Sequence, residues 1–220
     1  MMKKIKLLSL IVFCVIAGNV NAQTTLTEEQ KVQFQNRVKQ KVEEFQSSLS
    51  KVVNNGLRHD IRKEHFINVL KLFIGEGEPY DYYDIALDNR VHSTGVKMQT
   101  SSKKRTYTSS QLLKTYMTKL YDPNTGRSKM SYSHIEIDSA SAVRVDNIQR
   151  VGDHYECVAY FYQKFIGYIG TGEHRRIVYS DKTGKKIRCY INKIELPDGK
   201  IIWDAKLGDI YVLSTERLFE

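Results

Sequence analysis

Cysteine, proline and tryptophan are scarce in this sequence of 220 residues, which contains three, three and one of them. The prolines stand singly, and no low-complexity tract, internal repeat or interdomain linker interrupts the chain. The one extended apolar run lies at the N-terminus. These absences exclude a repeat protein or a string of domains, and they favour a single folded domain.

The sequence also lacks the motifs of common catalytic sites. It contains no P-loop, no Gly-x-Ser-x-Gly elbow and no His-Glu-x-x-His zinc motif. The glycines from Gly167 to Gly172 lack the spacing of a dinucleotide-binding loop. His59 and His65 are six residues apart, so on a helix they cannot form the i, i+4 metal pair. We predict no catalytic set of known type, no metal and no cofactor.

Residues 1–22 have the pattern of a signal peptide. Three lysines precede an apolar run from Leu7 to Ala17, and small residues stand at the expected cleavage positions. The run is too short to span a membrane comfortably, and bulky Phe13 before Cys14 argues against a lipoprotein. We predict cleavage before Gln23 and export to the periplasm or the extracellular space, with no membrane span.

Charge limits the choice of partner. The formal net charge is +9, and three of the basic residues lie within residues 1–22, so the remaining chain carries +6. That charge gives only weak attraction to anionic surfaces. The one dense basic run, Lys103–Arg105, is expected in an exposed loop. We predict no nucleic-acid binding, and one domain spanning residues 23–220.

Three amphipathic helices are predicted in the first half of the chain. Thr27 and Gln30 form a candidate capping box at the start of the first helix. Between the second and third helices we expect one edge strand within residues 91–102 and an irregular stretch rich in tyrosine, whose rings either rim a cavity or pack under a loop. The predicted helices are Thr27–Val53, Asp60–Ile74 and Gln111–Tyr121.

The second half of the chain reads as antiparallel strands joined by turns. Turns are predicted at Gly152, at Asp181–Gly184 and at Pro197–Gly199, and Gly208 is expected to mark a bulge. Neighbouring strands should pair into one strongly curved sheet covered by the helices. The five predicted strands are Ser133–Ile148, His154–Ile166, Glu173–Ser180, Lys185–Leu196 and Ile201–Ser214.

This order of helices and strands resembles the nuclear-transport-factor-two-like superfamily, which has the cystatin-like cone fold. The resemblance covers most of Thr27–Ser214 and is one of topology, not of motifs. It implies an α+β domain with N-terminal helices packed on a curved antiparallel sheet. It also implies a pocket at the wide end of the cone, which some members use for isomerase-like or cyclase-like catalysis and others use without catalysis.

Aromatic residues on the strands suggest a binding surface. Tyrosines interleaved with arginines could stack on sugar rings or hold a peptide, although ordinary cross-strand packing explains the same pattern. The leading hypothesis is an exported, non-catalytic domain that binds a small molecule, a glycan or a protein. The oligomeric state stays open, homodimer included. The candidate binding residues are Tyr160, Tyr162, Trp203, Arg188 and Asp204.

The alternative is a small pocket enzyme of isomerase, dehydratase or cyclase type, which needs a buried carboxylate or histidine. His134, Glu136 and Asp138 alternate on one strand and are the candidates for such a group together with Asp204, although a solvated strand face explains them equally.

The two cysteines left after cleavage, Cys157 and Cys189, lie on predicted strands among apolar neighbours. They either form a disulfide or stay buried as thiols.

Overall fold

The first helix begins where the sequence predicts it. Thr27 Oγ1 accepts the backbone N–H of Gln30 at 3.2 Å, and the Gln30 side chain accepts the N–H of Thr27 at 2.9 Å. This capping box satisfies two backbone donors that a helix start leaves unpaired. Glu28 and Glu29 follow in the first turn, where the helix dipole favours acidic side chains.

The computed structural model describes residues 25–84, 87–101, 108–122 and 132–218. The predicted signal peptide and the basic run Lys103–Arg105 lie outside these ranges. The helices are α1 (Glu28–Val53), α2 (His59–Leu72) and α3 (Leu113–Tyr121). The strands are β1 (Tyr80–Asp84), β2 (Asn89–Ser93), β3 (Lys97–Thr100), β4 (Ser109–Leu112), β5 (His134–Ser139), β6 (Arg144–Val145), β7 (Gln149–Val151), β8 (His154–Ile169), β9 (Arg176–Glu195) and β10 (Ile201–Arg217).

The described strands form one large sheet and a separate hairpin. The sheet has the order β4-β3-β10-β9-β8-β5, with β6 and β7 also paired to β8. All its pairs are antiparallel except β3 with β10, which are parallel. Strands β1 and β2 form the hairpin. The α+β class and the helices packed on the sheet are confirmed.

The core lies between α1 and the sheet. The ring of Phe45 on α1 has no exposed surface and meets Phe73 and Phe161 edge-on, with ring centroids 5.3 and 6.3 Å away. Alternate residues of β8 and β9 complete this layer because side chains point to opposite faces along a strand. The helix-facing residues of these strands include Tyr155, Cys157, Ala159, Phe161, Ile187, Cys189 and Ile191.

Two predicted turns and one bulge are confirmed. Gly152 and Gly199 take positive φ values of 61° and 79°, which glycine adopts without a steric penalty. The register of β10 against β9 shifts between Leu207 and Ile210, around Gly208. A Cβ atom on Gly208 would lie 2.4 Å from Cε2 of Tyr190, so the close approach of this ring requires glycine.

The predicted turn at Asp181–Gly184 is wrong. These residues continue strand β9 without a break, and Asp181, Thr183 and Gly184 are all buried. The polar residues tolerate this position because β8 and β10 pair with them on both sides. One strand of 20 residues therefore replaces the two shorter strands predicted on either side.

Three other boundaries differ from the prediction. The third helix starts at Leu113 and not at Gln111, because Ser109–Leu112 pairs with β3 as strand β4. The single edge strand expected within 91–102 is two strands, β2 and β3. The predicted strand Ser133–Ile148 is broken into β5 and β6, which pair with β8 at different places.

Candidate functional site

Three of the five candidate binding residues share one surface. Tyr160, Tyr162 and Arg188 alternate with the buried core residues of β8 and β9, so they point away from the helices. We call this side of β8, β9 and β10 the outer face.

The tyrosines predicted for ring stacking are already covered by cations. The guanidinium of Arg144 lies 4.3 Å from the ring centroid of Tyr160, and Lys182 Nζ lies 4.6 Å from that of Tyr162. Such cation–π contacts stabilise the surface by about 0.5–1 kcal/mol each where solvent reaches them. Each contact also occupies one face of its ring, which makes this part of the outer face less suited to stacking on a sugar.

Trp203 and Asp204 are placed elsewhere. The indole of Trp203 packs against the core, with its ring 5.3 Å from that of Tyr155 in an edge contact. The Asp204 carboxylate lies 3.9 Å from Lys41 Nζ on α1. The structure therefore does not bring these two residues together with Tyr160 and Tyr162.

A cavity of about 300 Å³ lies between the β1–β2 hairpin and the outer face of the sheet. We call it the hairpin pocket. The expectation that tyrosines of the irregular stretch rim a cavity is confirmed by Tyr82. The hairpin contributes Asp81, Tyr82 and Arg90, the sheet and the turn before β8 contribute Asp153, His154, Tyr190, Asn192 and Lys193, and Ile74 completes the wall.

A hydrogen-bonded network holds His154, which lies in the floor of the hairpin pocket, and extends to Glu156 and Arg188 in the neighbouring groove. Glu156 accepts from Arg188 Nε at 2.8 Å and from Arg188 Nη2 at 3.1 Å. The same carboxylate lies 2.9 Å from His154 Nε2, and Asp153 lies 3.2 Å from His154 Nδ1. The His154 ring is held from both nitrogens, and only 9% of its side chain is exposed.

The charges in this network stabilise one another. The hydrogen bond to Glu156 raises the pKa of His154, against the opposing effect of burial. Burial alone would raise the pKa of Glu156, but hydrogen bonds from His154 and Arg188 outweigh it and lower that pKa. His154 therefore stays protonated to higher pH than a free histidine, while Glu156 stays ionised to lower pH than a free glutamate.

Two cations of the hairpin pocket have no acidic partner. Arg90 and Lys193 form no ion pair with any residue that the structure describes. Lys193 Nζ, however, lies 5.2 Å from the ring centroid of Trp203, its partner across β10, so Arg90 is the more available of the two cations. The two acidic wall residues, in contrast, are each engaged by a histidine: Asp81 by His92 at 2.8 Å and Asp153 by His154. The pocket can therefore attract an anionic group without breaking an existing ion pair.

A second polar group, which the sequence analysis missed, lies on the helix-facing side of the sheet. Asp181 accepts from the Tyr179 hydroxyl and from Thr183 Oγ1, the latter at 3.4 Å. Lys185 Nζ donates to Gln163 Oε1. We call the four residues Gln163, Asp181, Thr183 and Lys185 the interior cluster. All four are at most 5% exposed.

Burial shifts both charged groups of the interior cluster toward neutrality. It raises the pKa of Asp181 and lowers the pKa of Lys185 to about 8, and the charge of Asp181 only partly offsets the latter shift. Among the described residues, Nε2 of Gln163 and Oγ1 of Thr215, which is paired with Thr183, have no hydrogen-bond partner. Buried polar atoms without partners beside charged groups with shifted pKa values are typical of functional sites, although structural networks also produce them.

The remaining candidates of the sequence analysis lie apart from both sites. His134 Nε2 is 3.4 Å from Glu136, whose other oxygen accepts the Tyr168 hydroxyl at 2.7 Å. With Asp138 they line a separate groove of about 430 Å³ beside the end of α1. Neither carboxylate is buried, so this strand does not provide the buried acid that a pocket enzyme needs.

Cys157 and Cys189 are direct cross-strand partners, and both are buried free thiols in this structure. Burial raises the pKa of the Cys189 thiol well above its usual value, so this cysteine is a poor nucleophile. The predicted disulfide, which needs adjoining strands, stays a prediction.

Within the described ranges, no cluster of histidine, cysteine or acidic residues has the arrangement of a metal site. None of the described helices is long and apolar enough to cross a membrane. No family model matches the chain, and no curated protein or solved structure matches it either.

Proposed function

We propose that this chain is an exported, non-catalytic ligand-binding domain and that the hairpin pocket holds the ligand. The observation that carries the proposal is the cavity of about 300 Å³ between the hairpin and the sheet, whose hairpin wall carries Arg90 without an acidic partner among the described residues. That volume is at the lower end of the range for small-molecule sites. The ligand is therefore small, and Arg90 favours one with an anionic group.

The geometry of His154 favours binding over catalysis. A general acid or base needs one ring nitrogen within hydrogen-bond reach of the substrate. Both nitrogens of His154 already contact carboxylates, at 2.9 and 3.2 Å. His154 thus keeps a fixed ring position in the floor of the pocket, and neither nitrogen is left for a substrate.

Removing the charge of Arg90 should weaken binding. In a thermal-shift screen of small organic acids, wild-type protein should show a ligand that raises the melting temperature by several degrees. The variant Arg90→Gln should bind that ligand at least tenfold more weakly, because a charge-assisted hydrogen bond contributes about 1.5–3 kcal/mol. The control Lys39→Gln makes the same charge change on an exposed helix surface. Equal binding by both variants would contradict the site.

We also propose the cone-like fold of the nuclear-transport-factor-two-like superfamily for this domain. Support comes from the element order, with two helices, short strands, a third helix and then long antiparallel strands. The sheet order, in which β10 lies between β3 and β9, brings the last strand to the middle as a cone requires.

Export gives a separate prediction. Protein secreted by its native host should begin at Gln23 and carry no lipid, because residues 1–22 have the pattern of a cleaved signal peptide. Intact-mass measurement decides this. A mass that includes Met1, or acylation at Cys14, would show that the export proposal is wrong.

The second candidate function is acid–base catalysis of isomerase, dehydratase or cyclase type in the interior cluster. It is favoured by Asp181, a buried carboxylate with a raised pKa, near Lys185. Such a site should exchange protons next to the carbonyl of a small ketone in deuterated water. Nuclear magnetic resonance would follow the exchange, which should stop in Asp181→Asn.

A further inference from the structure

Strand β5 lies at one edge of the large sheet. It pairs with β8, and no strand that the structure describes lies along its other side. The N–H of Ala140, just after β5, donates to the carbonyl of Tyr162 on β8 at 2.9 Å. In an antiparallel pair every second residue bonds to the neighbouring strand, so the even-numbered residues of β5 bond to β8. The N–H and C=O groups of the odd-numbered residues Ile135, Ile137 and Ser139 therefore point to the free edge.

A groove of about 430 Å³ runs beside this free edge, and we call it the edge groove. Residues 134–138 of β5 line one wall, and Ser50, Val53, Asn54 and Gly56 at the end of α1 line the other. Five consecutive strand residues span about 16 Å. A wall that includes every residue of this run exposes backbone as well as side chains, so the edge groove can hold an extended segment of another chain.

The side chains of β5 that point away from the core are acidic at one end of the edge groove. Glu136 and Asp138 alternate with the buried isoleucines of this strand. Glu136 contacts His134 and the Tyr168 hydroxyl, whereas Asp138 forms no ion pair with any described residue. Opposite charges on paired strands stabilise the pairing, so a lysine or arginine on an added strand would complement these carboxylates.

The positive charge of Arg175 does not cancel this acidic end. Its guanidinium lies 4.7 Å from the ring centroid of Tyr168, which pairs with His134 at the start of β5. Asp138 lies four residues further along the strand, on the same side as Glu136.

We infer that the edge groove binds an extended basic segment of a partner protein, which adds to the sheet as a strand antiparallel to β5. In this segment lysine or arginine alternates with small or β-branched apolar residues. The basic side chains face Glu136 and Asp138. The residues between them meet the short side chains of Ser50, Val53 and Gly56, which leave room for valine. The edge groove is separate from the hairpin pocket, and the inference does not depend on the ligand proposed there.

A second copy of β5 fits this edge less well than a basic segment. The antiparallel register with the greatest overlap pairs Ile135 of each copy with Ile137 of the other. That register sets the two Glu136 carboxylates directly opposite each other, and like charges in this position destabilise paired strands.

Fluorescence anisotropy with labelled, end-blocked peptides tests the inference on the purified protein. The peptide Thr-Val-Lys-Val-Lys-Val-Thr should bind at least tenfold more tightly than Thr-Val-Glu-Val-Glu-Val-Thr. It should exceed by the same factor the peptide Lys-Lys-Val-Val-Val-Thr-Thr, which has its composition without the alternation. The valines share a face with Ile135 and Ile137 and pair with them, so N-methylation of the valines should abolish binding. N-methylation of the lysines, whose amides point to solvent, should change it less than threefold.

Two further measurements locate the bound peptide. Asp138→Asn should weaken binding about two- to fivefold, as expected for one opposite-charge pair across strands, while the matched change Asp198→Asn in the turn before β10 should not. Amide hydrogen exchange should slow at Ile135, Ile137 and Ser139 when the peptide binds. It should stay unchanged at the even-numbered residues of β5, whose amides already bond to β8.

Other results would overturn the inference. Equal binding of the alternating and rearranged lysine peptides would show attraction by charge alone. No binding of the alternating peptide, or binding that survives N-methylation of the valines, would exclude the added strand. A dimer of the protein in sedimentation experiments that the peptide does not dissociate, with Ile135 and Ile137 protected from exchange, would assign the edge to a second copy. None of these results bears on the hairpin pocket.

Discussion

Replacing Phe45 by alanine should lower the free energy of unfolding by about 3–5 kcal/mol, the usual cost of removing a buried aromatic ring. The Phe45 side chain has no exposed surface. Its ring contacts Phe73, which follows α2, and Phe161 on β8, so it joins both long helices to the sheet. The helices cannot collapse into the space because they are fixed at several other points, and a cavity remains.

Urea denaturation would measure this change, since the midpoint shifts in proportion to the free energy lost. The matched control is Val32→Ala on the same helix, where the side chain is 55% exposed, and we expect a change within about 0.5 kcal/mol. A loss below about 1 kcal/mol in Phe45→Ala would mean that α1 does not pack on the sheet as described.

The second large effect concerns Lys185, whose replacement should raise the free energy of unfolding. Its pKa is lowered to about 8 by burial, whereas the unfolded chain has the ordinary value of 10.5. Between these two values the unfolded state binds more protons, so stability rises with pH from about 8 to about 10, by about 3 kcal/mol in total. Below pH 8 the full cost of the buried charge is present.

Lys185→Met should therefore raise the free energy of unfolding at pH 7 by about 2 kcal/mol. The charge penalty of about 3 kcal/mol disappears, while Gln163 loses one hydrogen bond of about 1 kcal/mol. The variant should also lose the rise in stability above pH 8. Measurements should stay below pH 10, because burial raises the pKa of Tyr116 and raises that of Tyr80 to about 12, which makes tyrosine ionisation destabilising beyond that point.

Lys186→Met is the control for this experiment. Lys186 neighbours Lys185 but lies on the outer face, with its amine 5.7 Å from the ring centroid of Tyr211, so the rise above pH 8 should persist. If Lys185→Met instead destabilises the protein at pH 7, the ammonium is held by interactions stronger than those described. That result would strengthen the enzyme alternative.

The helices were predictable because their signals are local. The capping box needs only Thr27 and Gln30, three residues apart, and the apolar stripe of α1 repeats within a few turns. The start of α3 could not be predicted from local signals. Ser109 and Ser110 are residue types that often cap helices, but here they pair with β3. Pairing with a distant strand outweighed the local preference.

Strand β9 is a stronger case of a local sequence preference that distant contacts outweigh. The run from Asp181 to Gly184 has the composition of a turn. Its side chains become acceptable in a strand only after Tyr179 and Thr183 bond to Asp181, and after Gln163 of β8 bonds to Lys185. A sign was present in the alternation of Tyr179, Asp181, Thr183 and Lys185, which places all four on one face. The sequence alone did not show that this face is buried.

One part of the candidate site could be predicted from the sequence and another part could not. That Tyr160, Tyr162 and Arg188 share a face follows from the period of two along paired strands. The hairpin pocket could not be predicted, because it depends on where β1 and β2 lie against the sheet. The spacing of His154 and Glu156 on one strand is the signal that could have indicated its floor.

The most direct test of the proposed binding site is a nuclear magnetic resonance titration of isotope-labelled mature protein with the small organic acid that most raises its melting temperature. We predict that amide shifts concentrate at Tyr82, Arg90, His154, Asn192 and Lys193, on both walls of the hairpin pocket, and that Gln163, Asp181 and Lys185 do not respond. Shifts centred on the interior cluster, or on Tyr160 and Tyr162 of the outer face, would contradict the assignment of the ligand to the hairpin pocket.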